Sequence, residues 1–147
     1  MTIPGSGGIP SPSSAAARRS DGVHLLYRHV HRIPMATRIL ADMTLCSYEI
    51  VITAEDLGNG TVSLDIRSDC EEVQRYAAML GDVDIEELDD LDSRIMRTAS
   101  QAGLTATCLV PSAVYNACWL ELGMISKNLA RGKGPVSIAL LDDPVRG

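Results

Sequence analysis

From residue 36 onward the chain alternates apolar and polar positions at two distinct periods. Residues 36–43 read as a first strand, interrupted by Leu45-Cys46-Ser47. Tyr48-Glu49-Ile50-Val51-Ile52-Thr53-Ala54 is rich in β-branched residues and reads as a second strand. Leu57-Gly58-Asn59-Gly60 supplies a hairpin turn, because Gly and Asn accept positive φ. Val62, Leu64 and Ile66 then alternate with Ser63, Asp65 and Arg67, the mark of a half-buried strand. At this point the period changes to that of a helix. Val73, Tyr76, Ala77 and Leu80 fall at i, i+3, i+4 and i+7 and form one apolar face. Ser68 with Glu71, and Asp69 with Glu72, have capping-box spacing, and Gly81 marks the end.

Seven acids crowd residues 82–92, which predicts a solvated loop or short helix. A calcium loop would need a fixed ligand register around a central Gly, and the segment has none. A second helix is expected over 93–102, with Ile95, Met96 and Ala99 inward and Gly103 as its stop. Pro111 opens a third, in which Val114, Ala117, Cys118, Glu121 and Leu122 keep helical spacing to Gly123. Lys133-Gly134-Pro135 reads as a turn, and Val136, Ile138 and Leu140 alternate as a last strand. The expectation is an α+β domain: a small antiparallel sheet packed on two to three helices, in the order β-β-β-α-α-α-β.

Residues 1–34 differ in kind. Ten of the first 14 are Gly, Pro or Ser, and Arg18, Arg19, Arg28 and Arg32 face one acid, Asp21. Such a composition buries too little apolar surface to offset chain entropy, so it reads as a disordered tail. Patterning that starts directly after Met35 makes Met35 a candidate translation start. No apolar stretch follows Arg18-Arg19, which excludes a secretory or twin-arginine signal. His24, His29 and His31 all lie in this tail and read as solvated side chains. The expected arrangement is thus a tail over 1–34 and one domain over 35–147.

This division sharpens the charge of the 147-residue chain. The net charge of -6 combines a tail near +3 with a remainder near -9. An acidic domain with one Trp, three Tyr (the fourth, Tyr27, lies in the tail) and no Phe offers neither a basic footprint nor a base-stacking platform for nucleic acid. No apolar run approaches the roughly 18 residues that a membrane helix requires. Four cysteines are too few for a disulfide-stapled secreted scaffold, and a leaderless chain is expected in the reducing cytoplasm. Without a histidine in the folded part, no Cys–His nucleophile pair can form there, so no catalytic residue is assigned and an enzyme is not the expected reading. Glu121 is a candidate general base only in the weak sense that any partly exposed helical Glu is. Gly58-Asn59-Gly60 and Gly132-Lys133-Gly134 read as turns, not phosphate loops.

What remains is thiol chemistry. Cys46 lies between the first two strands, Cys70 in the first turn of the first helix and Cys108 just before the third. Side chains at element junctions can point toward a shared site. The N–H groups of a helix N-terminus favour a thiolate at Cys70, while Glu71 and Glu72 oppose it. Thiolates bind zinc, other soft metals and iron–sulfur clusters. Cys118 falls on the apolar face of a helix and reads as a small core residue. Taken singly, each of the other three is also more often core than ligand, and no C-x-x-C pair is present. A Cys70–Cys108 disulfide is a further alternative.

The order of these cysteines, with 24 residues from Cys46 to Cys70 and 38 from there to Cys108, resembles the U-type iron–sulfur cluster assembly scaffolds, the NifU N-terminal/IscU-like family. The resemblance covers about residues 36–122, including Leu64-Asp65-Ile66-Arg67-Ser68-Asp69-Cys70 and Cys108-Leu109-Val110-Pro111-Ser112-Ala113. It implies that Cys46, Cys70 and Cys108 hold a nascent cluster or a zinc ion. Where that family has Asp two residues after its first Cys, this chain has Tyr48. It has Asp69 and Glu71 for the glycines around the second Cys, and Thr107 for the His before the third. The chain is also similar to a small family without assigned activity from anaerobic archaea and bacteria, which carries C-G-F, S-D-C and C-P-V-P-S-A. Here these correspond to Cys46-Ser47-Tyr48, Ser68-Asp69-Cys70 and Cys108 to Ala113.

The expected function is metal binding by Cys46, Cys70 and Cys108, with zinc or an iron–sulfur cluster as cofactor and transient cluster holding or delivery to a protein client. Asp69, beside Cys70, is the candidate fourth ligand or supporting partner. The alternatives are a metal-free interaction or accessory subunit with structural cysteines, and a thiol-redox protein in which Cys70 attacks and Cys108 resolves. A protein partner is expected and a homodimer is left open; no membrane or nucleic-acid partner is expected.

Overall fold

A computed structural model describes residues 36–142. The tail over 1–34, its three histidines and the candidate start at Met35 lie outside the described residues. From Thr37 onward the described residues belong to one unit.

Three long strands come first: β1 (Thr37–Met43), β2 (Tyr48–Asp56) and β3 (Thr61–Ser68). Helix α1 (Glu71–Leu80) follows, then a two-residue strand β4 (Val83–Asp84) and a 3-10 turn (Ile85–Leu88). Helices α2 (Arg94–Ala102), α3 (Val110–Glu121) and α4 (Lys127–Lys133) complete the order. The sheet is antiparallel throughout, in the spatial order β1-β2-β3-β4. The domain is α+β, as the change of period predicts.

One face of the sheet carries the core. Ile50, Ile52 and Ala54 of β2 and Val62 of β3 point inward, the alternate residues outward, as the pleat requires. Val73, Tyr76 and Leu80 of α1, Ile95, Ala99 and Ala102 of α2, and Val110, Val114, Ala117 and Cys118 of α3 cover them. Tyr76 is fully buried, and its hydroxyl donates to the Ile95 carbonyl at 3.0 Å, so the core admits a phenol without an unpaired group.

Four expectations differ from the structure in detail. Helix α1 begins later than the Ser68 and Asp69 spacing suggests. Cys70 is its N-cap and no side chain caps it, because the Ser68 hydroxyl accepts from the Cys70 N–H instead of from the helix's own first turn. Met96 is 40% exposed and Thr98 and Ala102 take the inward positions, since α2 rolls its i+3/i+4 stripe one position further round. The acidic run does hold a short helical segment, Ile85–Leu88, but it is tied down rather than simply solvated: Arg94 donates to Glu87 through two nitrogens at 3.1 Å and also reaches the Leu80 and Asp82 carbonyls. Burial alone would push the Glu87 carboxyl up, but the Asp84 N–H and the Arg94 guanidinium outweigh it and hold the group below its ordinary range.

The fourth difference is the last strand. Residues 134–142 form no strand, and Val136, Ile138 and Leu140 are 91%, 81% and 93% exposed. Strand formation needs a neighbour to pair with, and the segment leaves α4 through Gly134, at φ +81°, without meeting a sheet edge of its own copy. The fourth strand is β4 instead, drawn from the acidic run where Val83 is buried opposite Val62.

Candidate functional site

The register of the sheet and the direction of α3 decide where the cysteines go. Met43 pairs with Tyr48, so Cys46 sits in the turn that closes β1 to β2. Ile50 pairs with Ser68, so β3 ends, and α1 begins at Cys70, at that same end of the sheet. Helix α3 packs across β1 and β2 and its far terminus is fixed by Glu121. That carboxylate accepts from the Thr37 N–H at 2.8 Å, the Thr37 hydroxyl at 2.6 Å and the Asp56 N–H at 3.2 Å. Thr37 and Asp56 mark the opposite end of the sheet. Twelve helical residues span about 18 Å and the seven residues of β1 about 23 Å, so α3 runs most of the length of the strand. Cys108, two residues before α3, is therefore returned to the end that holds Cys46 and Cys70.

The side chains there occupy different environments. Cys46 is exposed; its N–H donates to the Met43 carbonyl at 3.1 Å and its thiol to the same oxygen at 3.5 Å. Its neighbour Leu45 is 97% exposed, and Ser47 adopts a left-handed φ of +62°, the one non-glycine with positive φ among the described residues. Cys70 is half-buried and its thiol donates to Glu72 Oε2 at 3.3 Å. Glu72's own N–H at the helix start, together with that thiol, holds its carboxyl below the usual range. Cys108 is half-buried, and burial pushes its thiol up. The Val110 N–H works the other way, and negative charge on Cys46 and on Cys70 raises it further.

The three thiols do not meet as a closed set. Among the described residues, no three His, Cys, Asp or Glu side chains are grouped closely enough to hold a metal ion as they stand. Asp69 is exposed beside Cys70, whereas Glu72, which sequence reasoning considered only for its charge, is the carboxylate that touches the thiol. An acid two residues beyond a helix-capping Cys is the signal that would have identified it. All four cysteines are free thiols, so no Cys70–Cys108 disulfide is formed.

Two further groups belong to the framework. Glu121 has a structural part in this arrangement: its side chain is only 7% exposed, and among the described residues its polar contacts join α3 to the sheet or to Lys127 Nζ, at 3.4 Å. Cys118 is fully buried, and burial, with the charge of Glu121 adding to it, pushes its thiol up to about 12. The thiol of an unfolded chain ionises near 9.0. The folded group keeps its proton where the unfolded one loses it, so the contribution is intact below about 9 and fades as pH rises toward about 12. Cys118→Ala is accordingly expected to show a shallower loss of stability with pH across that interval, measured by urea unfolding. An unchanged slope would contradict the assignment.

An open groove of about 390 Å³ lies elsewhere, along α3 and the segment before α2, lined by Leu91, Tyr115, Trp119 and Ile125 with Asp89 and Asp90; it contains none of the cysteines. Among the described residues, no helix is long and apolar enough to cross a membrane.

Over residues 37–131 the sequence matches the model of a family of unknown function (DUF6951), and the chain belongs to that family. No curated protein and no solved structure matches it.

Proposed function

We propose that this member of the family is a thiolate metal-binding protein whose ligands are Cys46, Cys70 and Cys108. The observation that supports this reading is the return of three free cysteines, from three separate elements, to one end of the sheet. Cys70 and Cys108 rest against the margin of the core while staying half-buried, and Cys46 is exposed. Their sulfurs suit zinc or an iron–sulfur cluster. Because the three are not yet grouped, the site is one that closes on its metal. Cys46 is carried on the exposed β1–β2 turn, while Cys70 caps one packed helix and Cys108 lies two residues before another. Three thiolates leave a fourth position, for which Asp69 and Glu72 are the nearby carboxylates, or which stays open for handing the metal or cluster to a client protein. Thiols used in this way persist in a reducing compartment, which favours the cytoplasm.

The test is anaerobic expression with iron and zinc supplied, followed by metal analysis and a visible spectrum. Wild type is expected to carry about one zinc, or a cluster, per chain, and the Cys46→Ser, Cys70→Ser, Cys108→Ser variant none. Equal metal content in the two proteins would overturn the assignment. Cys118→Ser serves as the control that changes a cysteine without touching the site.

A further inference from the structure

The β1 side of the sheet is open, and the C-terminal arm of the same chain has the pattern that would close it. Strand β1 is an edge: β2 pairs along one side of it over all seven residues, and no described strand lies on the other. Long edges template further pairing, and proteins blunt them with Pro, Lys, bulges or a covering element. Among the residues of β1 there is no Pro and no Lys, its two charges, Arg38 and Asp42, face outward, and its register with β2 runs from Thr37–Ala54 to Met43–Tyr48 without a bulge. Its inward residues Ile39, Ala41 and Met43 pack against the core yet stay partly exposed, as residues do at a core margin that lacks its next strand.

The arm begins at Ser126. None of the residues of α4 or of 134–142 is buried. Even so, Val136, Ile138 and Leu140 alternate with Ser137 and Ala139, at exposures that no soluble segment gains from. Pro135 stands at the first position, where a strand tolerates it. Residues 135–141 and β1 are both seven residues long, about 23 Å when extended. An arm that packs little on its own body, while matching an open edge of that body in length and period, is the usual anatomy of an exchanged element.

We infer that residues 135–141 add as a fifth strand to the β1 edge of a second copy of this chain, in reciprocal exchange, giving a two-fold dimer. Val136, Ile138 and Leu140 then extend the inward face beside Ile39, Ala41 and Met43. The exchange does not depend on the metal reading.

The full-length chain is tested by sedimentation across a concentration series, with hydrogen exchange read at both ends of the series. The expected species has twice the 15.7 kDa mass of one chain, with slowed exchange at 37–43 and 136–140 that weakens on dilution. Ile138→Asp with Leu140→Asp is expected to be monomeric and to lose protection at both segments, while keeping cooperative thermal unfolding because these side chains are exposed in a single copy. A wild-type monomer at every concentration, or a dimer that survives the double substitution, overturns the inference. Concentration-independent protection of 136–140 would assign the strand to its own copy, and protection of 37–43 alone would assign the edge to another occupant. Either result also overturns it.

Discussion

Glu121→Ala is expected to destabilise the domain by about 2–4 kcal/mol, since two or three hydrogen bonds to a carboxylate are lost together. The carboxylate accepts two bonds from Thr37, itself a buried residue, and one from the Asp56 N–H. Truncation leaves the Thr37 N–H and hydroxyl without a partner in a site that little water reaches, and an unmade buried bond costs more than a made one contributes. For a domain of this size the expected fall in melting temperature is on the order of 10–20 °C. Glu121→Gln separates the bonds from the packing: it keeps the volume and one acceptor oxygen but turns an amide NH2 toward donors. It is expected to lose roughly half as much stability as Glu121→Ala. If thermal unfolding of Glu121→Ala matches wild type, the clamp at this end of α3 is not what aligns the helix with β1.

Tyr76→Ala is expected to cost more, about 3–5 kcal/mol, the usual range for emptying a buried aromatic site. The ring is fully buried among α1, α2 and α3, and its hydroxyl satisfies the Ile95 carbonyl at the start of α2. Tyr76→Phe retains nearly all the volume and removes only that bond, for an expected loss of about 1 kcal/mol. Urea unfolding of the two variants therefore divides ring packing from the hydroxyl. Equal losses in both would mean that the bond, not the ring, dominates. Burial also pushes the Tyr76 hydroxyl well above its ordinary ionisation, so the donor stays intact over any working pH.

The hairpin of β2 and β3 and helix α1 are legible because each is written in a single unambiguous period, whereas the fourth strand and the inward face of α2 are not. Val62, Leu64 and Ile66 cannot alternate on a helix, and Val73, Tyr76, Ala77 and Leu80 cannot share one face of a strand. Residues 82–92 hid their structure for a physical reason: seven acids dominate the composition, but two buried residues, Val83 and Leu88, and one distant cation, Arg94, decide the conformation. Residues 136–140 show the opposite limit. Alternation states which residues a strand would bury, and says nothing of whether an edge is within reach. The positions of the cysteines at element junctions could be read directly, whereas their shared end depended on the direction of α3. That direction is set by Glu121, which shares helical spacing with Ala117 and Cys118 but reads from the sequence as a partly exposed residue, whereas its side chain is only 7% exposed. Contact between Cys70 and Glu72 needed the actual cap, one residue later than the capping-box spacing implied.

Arg94 has a consequence for how α1 comes into being. That helix has Glu71 and Glu72 in its first turn but no basic residue in its last, so it completes only half of its own dipole compensation. The missing cation arrives from α2, where the Arg94 guanidinium reaches the carbonyls of Leu80 and Asp82. A ten-residue helix lies below the length at which isolated helices persist in water. Helix–coil cooperativity in α1 is thus borrowed from a neighbour, and the helix gains its final turn on docking to α2. Cys70, as its N-cap, is therefore placed by the closing of the whole helical layer, so the geometry of the thiol end reports on the folding of residues far from it.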